Sequence, residues 1–245
     1  MRPMRRALGA LARRLDRPEL VSAFYAGARQ AEHEELAIAA VLAAVLRAQG
    51  TYVDVGCNRG QVLAEAVRVA PGGRHVAFEP IPALAAELRG RFPAVEVREL
   101  AVSDRPGSTQ FCHFTGLDGW SGLRRNPAVS DEQGRPQYID VRLSTLDLEL
   151  EELQLRPDLI KIDVEGAELD VLRGASGLLA GARPTIVFEH VAAASELYGH
   201  SPLELWDLLA QAGYRIFSVT GEGPFQRDRF SAPTRTVNWL AVPES

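Results

Sequence analysis

Two short runs hold the side chains best suited to proton chemistry: Lys161-Ile162-Asp163-Val164-Glu165 and Glu189-His190. In a strand alternate side chains share a face, so Lys161, Asp163 and Glu165 project together if strand geometry extends that far. Of the five histidines, His190 alone ends a predicted core strand at the rim where a ligand of an open α/β sheet sits. His75 begins a strand, on the opposite rim, and His33, His113 and His200 fall in segments that cannot be placed. His190 is therefore expected to take a hydroxyl proton, with Asp163 or Glu165 holding the imidazole in its tautomer. Each residue also has a purely structural use. Lys161 can be a buried cation paired with Glu189, and Glu165 and Glu168 can favour the N-terminus of the next helix through its dipole. Asp163, Glu165, Glu189 and His190 could instead hold a divalent cation. Nothing in the sequence fixes their geometry, and a metal-free site is expected.

A second group lies earlier, in Asp54-Val55-Gly56-Cys57-Asn58-Arg59-Gly60. It follows a predicted strand and opens a predicted helix. Gly56 suits a tight turn, and Gly60 suits close approach of the helix start to a ligand. Asn58 lies between them, in Gly-x-Asn-x-Gly. About twenty residues on, a second strand ends in Glu79, an acid placed to accept hydrogen bonds from ribose hydroxyls. A dinucleotide-binding enzyme has a similar pairing, but its G-x-G-x-x-G turn carries a third glycine that is absent here. A carboxylate at Asp54 would also repel a pyrophosphate. It suits a cationic amino group, such as the one on the methionine part of S-adenosylmethionine. Ala101 and Val102, ending a third strand, would face the adenine by position.

Alternating strand and helix patterns from Thr51 onward supply the scaffold, the signature of a parallel sheet covered on both faces. Strands are expected at 52–55, 75–79, 95–102, 159–164 and 185–190, with helices at 61–70, 82–91, 167–173 and 202–212. Two last strands, 214–219 and 237–242, have only a loop between them and so should form an antiparallel hairpin. Residues 103–157 interrupt the alternation with paired strands at 109–114 and 138–143, an insertion at the mouth of the site. Trp120, between Gly119 and Ser121, would give that mouth an aromatic wall for a small-molecule acceptor; an exposed loop tryptophan equally suits a homo-oligomer interface.

The 245 residues, 46% hydrophobic, are enough for one enzyme-sized domain over 51–245. Residues 1–50 would form a helical arm or lid. A net charge of −5 gives no field to attract nucleic acid. Two cysteines make no disulfide framework. No stretch reaches the roughly 20 apolar residues of a membrane span. A cytoplasmic protein is expected. Arg2, Arg5, Arg6, Arg13 and Arg14 precede the first acid, and a solvated amphipathic helix bearing Leu8, Leu11 and Leu15 accounts for them better than a targeting peptide, since no cleavage pattern follows.

The pattern from about Thr51 to His190 resembles the FkbM-type methyltransferases. The matching blocks are 54–60, Phe78-Glu79-Pro80, Ala101-Val102-Ser103-Asp104, Ser144-Thr145-Leu146-Asp147 and, most specifically, the run from Lys161 to Glu168. Cys57 stands where alanine is common, and residues 117–137 match nothing. The resemblance implies a Rossmann-like methyltransferase fold, S-adenosylmethionine as donor and O-methylation, often of sugars, polyketides or other natural products. An NAD-dependent oxidoreductase, or a noncatalytic partner that keeps the fold, would be the rivals; intact Asp54, Glu79 and Asp163 argue against loss of chemistry.

Overall fold

Val53 and Val55 of strand β1 (Tyr52–Val55) point into one apolar layer, while Tyr52 points into the other. A strand buried on both faces belongs at the centre of a covered parallel sheet. In the computed structural model, which describes residues 18–130, 132–230 and 236–244, β1 lies there. It pairs in parallel with β2 (Val76–Phe78) on one side and β7 (Leu159–Ile162) on the other. Beyond β2 is β3 (Glu96–Arg98), also parallel, and beyond β7 is β8 (Thr185–Glu189). Strand β10 (Asn238–Pro243) pairs antiparallel with both β8 and β9 (Tyr214–Ser218), giving a seven-stranded sheet ordered β3-β2-β1-β7-β8-β10-β9.

The chain leaves β1 towards β2 and leaves β7 towards β8, in opposite directions. A crevice therefore opens above the carboxyl ends of β1 and β7, the point at which ligands enter such sheets. The expected antiparallel pair at the end of the chain is present, with the helix Arg227–Phe230 on the connection between its strands.

The third strand differs from expectation. Residues 95–102 do not run as one strand: β3 stays in the large sheet, and Ala101–Val102 forms β4, which pairs in parallel with β6 (Pro136–Ser144). Leu100, fully buried at the break, anchors the chain in the main core as it changes sheet. Strand β5 (Gly107–Phe114) then runs antiparallel to β6 along its whole length, so the insertion is a three-stranded sheet ordered β4-β6-β5.

The helix Pro18–Val45 packs by Ile38 and Leu42 against Tyr52 and Leu63, beside the helix Gln61–Val69. It is also tied to the far strand. Glu34, 1% exposed, accepts hydrogen bonds from Thr236 Oγ1 at 2.9 Å and from Asn238 Nδ2 at 2.8 Å. The basic residues Arg2 to Arg14, and the leucines read with them, lie outside the described residues. Among the described residues no helix is long and apolar enough to cross a membrane.

Candidate active site

The turn after β1 is shaped by its neighbours. Gly56 has φ +80°, and a Cβ there would fall on the Asp163 carbonyl, so β7 passes too close for any other residue. Gly60 has φ +71°, but its tight neighbours are not a ligand: a Cβ would lie 2.8 Å from both Leu88 and Phe92. The missing side chain leaves room for the helix Pro82–Arg91 and its cap Phe92 to pack against the turn.

Glu79 is fixed by the same turn. Its carboxylate accepts the Asn58 amide at 2.7 Å and the Ile81 amide at 2.9 Å. Burial nevertheless pushes its pKa up to about 7, against the pull of those two amides. Asn58, in the left-handed region at φ +49°, and Glu79 line a cavity with Gly56 at the carboxyl ends of β1 and β2. Ala101 and Val102 line its other end, together with Ile81, Leu84, Phe111 and Leu123. Phe111 and Leu123 of this wall come from the expected insertion, of which the part holding Leu123 gave no signal because 117–137 has no period. The insertion is held down by Asp118, which takes Arg59 of the turn at 2.7 Å and His113 Nε2 at 3.0 Å. Although burial opposes it, these partners hold the Asp118 carboxyl below its usual range.

Asp163, Glu165 and Glu189 reach the same cavity from β7 and β8. Lys161, 7% exposed, donates to Asp163 Oδ2 at 2.7 Å. Its structural partner is thus Asp163, whereas Glu189 contributes to it only through charge. Burial works against ionising Asp163, yet Lys161 and a hydrogen bond with Glu189 hold its carboxyl low. Glu189 is pushed up by burial and by the Asp163 charge, and so carries the proton of that pair. Glu165 lies just beyond, at φ +56°, and burial with the Asp163 and Glu168 charges raises it to about 8. Carboxylate oxygens of Asp163, Glu165 and Glu189 lie within 4.8 Å of one another.

Asp54 lines an adjoining cavity between the helix Pro18–Val45 and the turn, with Gln61, Lys161, Asp163 and Glu189. Its Oδ1 is buried without a hydrogen-bond partner, and burial raises its pKa against the pull of Lys161 and of the Tyr52 and Cys57 side chains. An orphaned buried carboxylate oxygen there fits a cationic amino group, and the glycine-lined turn with Glu79 fits a ribose, so the residues present suit S-adenosylmethionine.

His190 goes elsewhere. Successive strand residues face opposite sides; since Glu189 points into the cavity, the imidazole turns away and stacks on Phe230 at 5.4 Å. Its Nδ1 is 3.2 Å from Ser195 Oγ, its Nε2 is buried without a partner, and burial lowers its pKa to about 4. Among the described residues no histidine lines this cavity or the adjoining one. The expected pairing of His190 with Asp163, and its place in a four-ligand metal set, are therefore not formed. His190→Ala should lower the melting temperature by several degrees and leave turnover of the folded protein within about threefold; a hundredfold loss of kcat with unchanged melting would restore it to the chemistry. Trp120, 47% exposed, stands at the mouth of a third cavity beside Glu165 and Glu189.

The family model for the methyltransferase FkbM domain matches residues 54–216. AMB antimetabolite synthetase AmbE of Pseudomonas aeruginosa is 30% identical over 208 residues, which is 70% of this chain and 10% of that protein. The 2-O-methyltransferase NoeI of Sinorhizobium fredii is 33% identical over 147 residues, covering 54% of this chain and 59% of that one. The chain thus spans under two-thirds of the length of these relatives. A crystal structure of methyltransferase FkbM from Methylobacillus flagellatus aligns over 80% of this chain and 44% of its own, with a TM-score of 0.49 and 18% identity. The chain belongs to the FkbM methyltransferase family, and its methyl donor is S-adenosylmethionine.

Proposed function

We propose that this protein methylates a hydroxyl group of a small molecule, with Glu165 as the proton acceptor and Asp163 as the ionised group beside it. One observation carries this reading: Glu165 and Asp163 share a cavity with the turn at Gly56, with Asn58 and with Glu79. The relative NoeI, named a 2-O-methyltransferase, supports oxygen as the acceptor atom. Bound S-adenosylmethionine supplies an electrophilic methyl group for in-line displacement, which leaves the protein to align an oxygen and remove its proton. Asp54, Gly56, Asn58, Glu79, Ala101 and Val102 bind the donor in this reading, and Trp120 borders the acceptor.

The choice among the carboxylates follows from basicity. A general base works best with a pKa near the operating pH. Asp163, held low by Lys161, is too weak a base, and Glu189 already holds a proton. Glu165, raised to about 8, is poised to accept one.

Calorimetry with S-adenosylmethionine tests the donor half. Micromolar binding is expected, and Glu79→Ala should weaken it tenfold or more, the loss of about 1.4 kcal/mol of hydrogen bonding to ribose. Unchanged affinity in that variant would remove Glu79 from the donor site. The grouping of Asp163, Glu165 and Glu189 also favours a second reading, in which a divalent cation orients the acceptor. A chelator is expected to leave activity intact, because Lys161 already supplies the cation for Asp163; loss that Mg²⁺ restores would assign the cluster to a metal.

A further inference from the structure

The cavity beside Trp120 is separate from the donor cavity but shares Glu165 and Glu189 with it. Its other walls include Asn126, Glu168 and Val191. Three carboxyl side chains thus line one space, and among the described residues no lysine, arginine or histidine lines it. Lys161, on the adjoining strand, is committed to Asp163 at 2.7 Å.

Glu168 gives the second, independent indication. It is 1% exposed, and its Oε1 accepts the amides of Val164 at 3.2 Å and Gly166 at 3.0 Å. Both amides belong to the loop that precedes the helix Glu168–Arg173. Oε2 is buried with no hydrogen-bond partner, a costly arrangement unless something absent from the free protein occupies it. Trp120, half-exposed on the short turn Asp118–Trp120, lines the same cavity. Carboxylates facing an aromatic ring form the natural receptacle for an organic ammonium, bonded by its N–H groups and attracted to the ring face.

We infer that this cavity seats a protonated amine of the acceptor, so that the substrate is an amino alcohol of the aminosugar type. The inference rests on methyl transfer to a hydroxyl as proposed above. Glu165 stands where the two cavities meet, which lets a hydroxyl approach it from the donor side while a nearby ammonium occupies the space between Glu168, Glu189 and Trp120. A hard metal ion would be drawn to the cluster that includes Asp163, but it would gain nothing from Trp120 or Val191.

The test is ligand-observed NMR on the full chain, with and without S-adenosylhomocysteine, using glucosamine, N-acetylglucosamine and glucuronate as cationic, neutral and anionic probes of one size class. Glucosamine should bind at pH 7 at least tenfold more tightly than N-acetylglucosamine, and glucuronate should not bind. Glu168→Gln and, separately, Trp120→Ala should each weaken glucosamine fivefold or more while S-adenosylhomocysteine affinity stays within about twofold. Equal binding of the neutral and cationic sugars, or no glucosamine binding by the folded wild type, would overturn the ammonium site. So would micromolar Mn²⁺ binding that displaces glucosamine. Failure of S-adenosylhomocysteine to bind counts against the donor reading instead, since the glucosamine preference is read in both conditions.

Discussion

Asp163→Ala is expected to destabilise the protein by about 3–5 kcal/mol, because it leaves Lys161 buried without its hydrogen-bonded counterion. The Lys161 side chain is 8% exposed and its ammonium donates to Asp163 at 2.7 Å. The desolvation that opposes charge on this lysine is offset first by Asp163 and next by Asp54, and the balance raises its pKa. Since Asp54 stays behind in the variant, the loss should fall toward the lower end of that range. Against a typical domain stability of about 5–15 kcal/mol, even 3 kcal/mol is a large share. Urea denaturation of the two proteins gives the number directly. Combining Asp163→Ala with Lys161→Met should recover part of the loss, since the charge that had lost its partner is gone. A single-variant effect below about 0.5 kcal/mol, the size expected of an exposed ion pair, would mean that the pair is solvated.

The second large effect concerns chemistry. Glu165→Gln should lower kcat by 10²–10⁴, the usual contribution of a positioned general base, with donor affinity little changed. The pH dependence has a defined sign. Glu165 must be ionised to accept a proton, and burial and its acidic neighbours raise it to about 8. In the free enzyme kcat/KM should therefore climb with pH through about 8 and level off above it. In Glu165→Gln the residual rate should lose that climb. Turnover near wild type in this variant, or a profile that falls across the same interval, would hand the proton to another group. Asp163 would be the first candidate, and the climb would then lie well below pH 7, because Lys161 and Glu189 hold that carboxyl low.

Much of this protein was legible in one dimension. The alternation of apolar strands with helices specified a covered parallel sheet, because burial on both faces demands continuous apolar runs. The turn from Asp54 to Gly60 and the acid at Glu79 were readable because they are local: a strand end, a tight turn and a helix start lie within a few residues of one another. Alternation likewise put Lys161 and Asp163 on one face, and the ion pair between them has the spacing that a strand imposes.

What the sequence could not decide depended on where a strand stops and which neighbour it meets. Glu189 and His190 are adjacent in the chain and both sit at the rim, but a pleated strand sends only one of them into the cavity. Tertiary packing chose Glu189 and buried His190 against Phe230. Residues 95–102 read as a single strand by composition. Only the partner strand β6 draws Ala101 and Val102 out of the main sheet, since a two-residue strand has no propensity strong enough to place itself. The insertion carries no periodic signal at 117–137, and it is fastened by a contact distant in sequence, Arg59 with Asp118. The close approach of three carboxyls, and with it the raised pKa of Glu165, arises from two neighbouring strands and the loop that follows one of them, a juxtaposition that only the folded chain creates.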